Sequence, residues 1–160
     1  MMDAKTIKKD RLRYTKNKLS ANLAYLAILF DVLYFVSIYS SDVDKYYYNL
    51  TIGCSVLYNL VFLLVAFLSS EGVKSYKLNY SWAIMAVGVL QFARIFGIPR
   101  MAHSAVTTVD GVEALVMGNG QYTYVIVCLI ISGVACIASG IAGVYKTTVL
   151  TNYLKEKGLA

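Results

Sequence analysis

The sequence predicts an all-α integral membrane protein: a four-helix bundle with a small extracytoplasmic hairpin-like loop. Three observations carry that prediction. Hydrophobic residues make up 58% of the chain and charged residues only 15%, against about 45–50% and about 25% in an ordinary soluble domain. The apolar residues gather in four stretches, at about 20–40, 47–70, 80–98 and 123–145, each close to the ~20 residues needed to cross ~30 Å of hydrocarbon. Finally, the 160 residues include one proline, which leaves long helices uninterrupted because proline removes a backbone donor and clashes with the turn before it.

Residues 1–19 form a basic, cytoplasmic N-terminal segment. It holds seven of the 15 Lys and Arg residues: Lys5, Lys8, Lys9, Arg11, Arg13, Lys16 and Lys18. Such a cluster is drawn to anionic lipid headgroups by about 1 kcal/mol per charge. The segment is therefore expected as a short helix on the inner membrane surface, with docking of a cytoplasmic partner as the alternative. No aromatic platform accompanies these cations, so nucleic-acid binding is not expected.

The first span contains an aspartate, Asp31, within "LAILFDVLYFVSIY". Ten Leu, Ile, Phe or Val residues between Leu23 and Ile38 favour insertion by roughly −3 to −6 kcal/mol, and a central aspartate opposes it by about +2.5 to +3.5. Insertion still wins. The second span, built around "LVFLLVAFL", and the fourth, "YVIVCLIISGVACIASGIAGV", carry no charge in those runs. The third includes Gln91 and Arg94, the latter five residues before Pro99, where a long side chain can reach toward the headgroups.

Between the third and fourth spans lies an outer loop, 99–122. "AVTTVDGVEALVM" alternates around Asp110-Gly111, a pair favoured in two-residue hairpin turns. A β-hairpin cap is expected, with "MGNGQ" as a flexible return, and a ligand-binding lid is the alternative. Residues 147–160 are read as a cytoplasmic tail. Lys74 and Lys77, with Lys146, Lys155 and Lys157, share the inner side with the N-terminal cations. The connections at 41–46 and 99–122 hold only Lys45 and Arg100, so the positive-inside rule puts both termini in the cytoplasm.

A charge inside a span faces the bundle and needs a partner. Ala24, Ala27, Asp31 and Tyr34 share one helical face, as do Thr51, Ser55 and Asn59, and Gly88, Gln91 and Arg94. Asp31, Asn59 and Gln91 are each about 11 residues from a helix end, hence near mid-membrane at ~1.5 Å per residue. We therefore expect an intramembrane polar layer of Asp31, Asn59, Gln91 and Arg94, with Asp31–Arg94 as its ion pair. Three roles are open to Asp31: specifying helix pairing, contacting another membrane protein, or holding a proton or cation. On the fourth span Ala135, Ser139 and Gly143 recur at four-residue spacing, a small-residue face for close helix packing within the chain or with a second one.

Catalytic chemistry is not expected. There is one histidine, His103, near Ser104 and Asp110 in the outer loop, and the chain has no HExxH, GxSxG, CxxC or Walker-type glycine loop. No metal or cofactor is called for. Cys54, Cys128 and Cys136 lie in apolar stretches, where cysteine serves as a small hydrophobe. A single acid in the first of four spans is similar to small multidrug exporters. The chain departs from them in using aspartate rather than glutamate, in its basic lead, in its 24-residue outer loop and in its intramembrane arginine. The runs "YTKNKLSANLAYLAILFDVLYFVSIY" and "FLSSEGVKSYK" resemble small four-span membrane proteins of Gram-positive bacteria. That resemblance covers most of the chain and implies the fold, but brings no activity or site residue. The function expected is that of an accessory or assembly subunit of a larger membrane transport complex, in contact with anionic lipid headgroups and with a membrane-protein partner. The alternative is a small homo-oligomeric transporter or channel using Asp31.

Overall fold

The computed structural model describes residues 4–39, 49–109 and 112–159. The expected loop residues 41–46 and the turn pair Asp110-Gly111 lie outside the described residues, as do the side chains of Lys5 and Thr51. Six helices and one hairpin make up the described part: α1 (Ala4–Arg11), α2 (Lys18–Tyr39), α3 (Asn49–Lys74), α4 (Leu78–Arg94), α5 (Ile98–Ser104), β1 (Val106–Val109), β2 (Val112–Leu115) and α6 (Asn119–Glu156). Four segments are long and apolar enough to cross a membrane: Lys18–Tyr39, Gly53–Lys74, Leu78–Ser104 and Asn119–Glu156.

Local chemistry sets the helix ends. Buried Asn17 caps α2, its Oδ1 accepting from the Ser20 amide at 3.4 Å, which satisfies one of the unpaired donors of the first turn. The third candidate span, Leu78–Ser104, contains the expected 80–98; inside it α4 stops at Arg94 and a turn over 95–97 precedes α5. Pro99 occupies the first turn of α5, after Gly97 at its N-cap. The break falls at the turn, where Gly97 takes a non-helical ψ of −126, and Ile98 before the proline is already the first residue of α5. The hairpin pairs Val106 with Leu115 and Val109 with Val112 in antiparallel register.

One expectation is corrected. "MGNGQ" is not a loose return: Met117 is fully buried in a cluster with Tyr34, Ile38, Ala102 and Leu129, and α6 begins two residues later. Within residues 147–160, α6 continues to Glu156. No glycine or proline lies between Val144 and Lys157 to stop it. It ends where Gly158 adopts φ +65 and the Leu159 amide donates to the Leu154 carbonyl at 2.9 Å, the left-handed glycine closure common at helix C-termini. At ~1.5 Å per residue its 38 residues extend about 57 Å, well beyond one hydrocarbon layer. The extension carries Tyr153, whose hydroxyl donates to Asp10 Oδ1 at 3.2 Å and so ties α1 to α6.

The long helices touch chiefly in the cyclic order α2, α3, α4, α6. Their interior holds many small and polar residues beside large ones such as Phe62, Ile84 and Leu129, while other large apolar side chains face outward: Val36, Leu60, Leu64 and Val89 are each more than half exposed. Ala24 and Ala27 of α2 are fully buried. Ser20 and Ser139 exchange hydrogen bonds, each hydroxyl donating to the other's carbonyl, at 2.6 and 2.7 Å. Close backbone approach of this kind is how helices associate when no water is available to drive apolar burial.

Candidate functional site: a buried polar layer

Two apolar clusters divide the interior. One contains Ala24, Ala27, Phe62, Ala66, Ile84, Ala135 and Cys136. The other contains Tyr34, Ile38, Met117, Val125 and Leu129, nearer the hairpin. The four residues expected to form a polar layer meet between them. Arg94 Nη1 donates to Asp31 Oδ1 at 2.6 Å and to Gln91 Oε1 at 2.8 Å, and Nη2 donates to Asn59 Oδ1 at 2.7 Å. Gln91 Nε2 donates to Asp31 Oδ1 at 2.8 Å. Asp31 and Gln91 are fully buried and Asn59 nearly so, while the Arg94 side chain keeps 11% of its surface exposed.

Helical spacing explains the convergence. Asp31 continues the Ala24–Ala27 face of α2, and Gln91 and Arg94 stand three residues apart, one above the other, on α4. A guanidinium offers five donors in a plane, so one Arg94 can serve three acceptors on three helices.

Spacing alone did not expose three further members. Ser132 on α6 accepts from Gln91 Nε2 at 3.1 Å and donates to the Ala27 carbonyl at 2.9 Å. It brings the fourth long helix into the layer. The signal was present, because Ser132 lies seven residues before Ser139 on the same small-residue face. The other two are aromatic: the Arg94 guanidinium lies 4.4 Å from the Tyr34 ring centre and 4.8 Å from that of Tyr58. Cation–π contacts of this kind add attraction once the cation is desolvated.

The layer is not fully satisfied. Asp31 Oδ2, Asn59 Nδ2 and the Tyr58 hydroxyl are buried without a hydrogen-bond partner among the described residues. Beside them lies a cavity of about 240 Å³, lined by Tyr34, Ser55, Tyr58 and Arg94 and reaching Cys54, Gly97 and Ile98. Arg94 is thus the charged member of the layer that borders open space.

The other expected sites fall elsewhere. Ala135, Ser139 and Gly143 lie on the buried face of α6, where Ser139 meets Ser20 and a side chain at position 143 would meet the Ser81 hydroxyl. Lys8, Arg11, Arg13, Lys16 and Lys18 are exposed and Lys9 half-buried, all at the end of the structure that holds α1. His103 stacks on Tyr122 with ring centres 4.2 Å apart, and its Nδ1 donates to the Met117 carbonyl at 3.2 Å. Both contacts clamp α5 to the start of α6.

Fold and site together define a class: a protein with four helices long and apolar enough to span a membrane, and a buried Asp–Arg layer joining all four. The chain matches no family model, no curated protein and no solved structure.

Proposed function

We propose that this chain is a non-enzymatic, multi-pass protein of the cell (inner or plasma) membrane and an accessory or assembly subunit of a larger membrane transport complex. The observation that carries this reading is that the acid and the cation of the polar layer pair with each other within the chain. The acid in the first span is neutralised by an arginine of the same chain at 2.6 Å, so no net charge remains to carry cargo. Such a layer selects which helices pair and in what register rather than adding much stability, since interhelical polar contacts average about 0.6 kcal/mol.

Membrane residence is supported by the many large apolar side chains on the outside of the long helices. For orientation, Lys8, Arg11, Arg13, Lys16, Lys74, Lys77 and Lys155 lie in or beside α1, the α3–α4 turn and the far end of α6. The positive-inside rule assigns that end to the cytoplasm, with both termini. We expect intact particles from the native membrane, weighed by mass spectrometry in mild detergent, to hold a second protein in fixed stoichiometry. A clean homo-oligomer or a lone chain overturns the accessory role.

One observation favours a second reading, a small homo-oligomeric transporter or channel using Asp31 as a proton or cation site. Asp31 Oδ2 is unpartnered, and the 240 Å³ cavity comes as close as Arg94. On this reading, proton flux into proteoliposomes, followed with trapped pyranine, is present in the wild type and abolished in Asp31→Asn at normal protein yield. Retained flux in the variant sinks it.

A further inference from the structure

At the end of the helices that holds α1, three segments meet around an open cavity of about 400 Å³. They are the α1–α2 connection, the α3–α4 turn and the extension of α6. Arg13, Lys16 and Lys74 line the cavity, the hydroxyl-bearing Ser75 and Tyr76 add donors, and no carboxylate lines it. Leu12 and Leu150 form its apolar side.

The frame of the cavity is tied in place. The Asn17 amide donates to the Lys74 carbonyl at 3.0 Å, joining the α1–α2 connection to the end of α3. The buried Asn17 side chain also accepts from Lys146 Nζ at 2.9 Å, which adds α6. The cations keep donors to spare. The Lys16 ammonium has no hydrogen bond among the described residues, though it lies within electrostatic reach of Glu71, and the Arg13 guanidinium bonds only to Asp10, at 3.5 Å, beside the Tyr14 ring. Lys74 donates to both carboxylate oxygens of its neighbour Glu71, at 2.9 and 3.2 Å, which leaves one of three ammonium protons.

Tyr76 is the one non-glycine residue with positive φ, +57, among the described residues. It stands just past the end of α3, where the Lys77 amide returns to the Gly72 carbonyl at 3.0 Å. Glycine usually takes that position, and a side chain there costs about 1–2 kcal/mol. Here the position carries a phenol into the cavity wall.

We infer that this cavity is a single phosphate-binding site, occupied by the headgroup of an anionic phospholipid. Arginine and lysine give short charge-assisted hydrogen bonds to phosphate oxygens. Basic pockets between helix ends at the cytoplasmic surface suit anionic headgroups, and the leucine side suits the start of an acyl chain, which a free phosphate lacks. The assignment rests on the reading that the long helices span the membrane, and it turns a diffuse attraction of the basic segment into one saturable site.

The test is native mass spectrometry of the full chain in detergent, titrated separately with phosphatidylglycerol, phosphatidylcholine and inorganic phosphate. One phosphatidylglycerol is expected to bind ahead of the rest. Arg13→Ala with Lys16→Ala weakens that first event on the order of tenfold or more, with an unchanged melting temperature. Lys8→Ala with Lys9→Ala, outside the cavity, leaves it intact. Equal losses in both pairs overturn the site, because diffuse attraction alone accounts for them. Inorganic phosphate competing at the same concentration as lipid keeps the phosphate site and overturns its lipid assignment. Membrane residence is read independently from carbonate extraction, so its failure cannot be mistaken for failure of the site.

Discussion

Arg94→Ala is expected to lower the unfolding free energy in detergent by about 3–5 kcal/mol, the range for breaking a buried ion pair from one side. Asp31 has no exposed surface, and its Oδ1 receives only two bonds, from Arg94 at 2.6 Å and Gln91 at 2.8 Å. Removing the guanidinium leaves an anion with one amide donor in a region where water does not compensate. It also strips Asn59 Oδ1 of its 2.7 Å partner and empties the space between Tyr34 and Tyr58. Adding Asp31→Asn should recover much of the loss, because the amide carries no charge. A double-mutant cycle on thermal and denaturant unfolding measures the coupling. Additive losses would show that the two charges do not stabilise one another, and the layer would then not be the specificity device proposed above.

The second large effect belongs to the crossing of α4 and α6. A Cβ at Gly88 would lie 2.8 Å from the Cys136 Cβ and 3.1 Å from the Gly133 carbonyl. A Cβ at Gly133 would lie 2.9 Å from Phe92 and 3.1 Å from the Gly88 carbonyl. At Gly88 the closest groups are a Cβ and a backbone carbonyl, neither of which can swing aside, whereas at Gly133 they are the tip of the Phe92 ring. Gly88→Val therefore pushes α4 off α6, at a cost of about 3 kcal/mol, the upper end of typical overpacking. Gln91 and Arg94 follow within the next two turns of the same helix and are displaced with it. The variant should accordingly lose part of the Asp31–Arg94 coupling as well as its melting temperature. Gly53→Ala and Gly120→Ala provide the contrast, since a Cβ at either meets no atom within 4 Å. Alanine there is expected to be neutral or to add up to about 1 kcal/mol through helix propensity. A Gly88→Val protein as stable as these two would remove the tight crossing from the account.

Asp31, Asn59, Gln91 and Arg94 could be placed at one depth by counting residues from the helix ends. Helical rise is constant and polar side chains in apolar runs have few alternatives to one another. Ser132 escaped that count because a hydroxyl within "IISGVACIASG" reads as one more small packing residue. Its polar role appears only when Gln91 arrives from another helix. The break after Arg94 was half visible in Gly97 and Pro99, but the burial of Met117 was not. A glycine-flanked methionine has no local signature that separates a loose loop from a core plug.

The cavity beside Lys74 draws on residues more than 50 positions apart, so no window of sequence contains it. Composition and periodicity by themselves determined four long apolar helices, the small-residue faces of α2 and α6, and the pairing of Asp31 with Arg94. These follow from period and depth, which are properties of a single helix. The order α2, α3, α4, α6, the Gly88–Gly133 contact and the aromatic cover over Arg94 were decided by tertiary structure. Each depends on which surfaces meet, and that is settled by the shape of neighbouring helices rather than by the pattern along one of them.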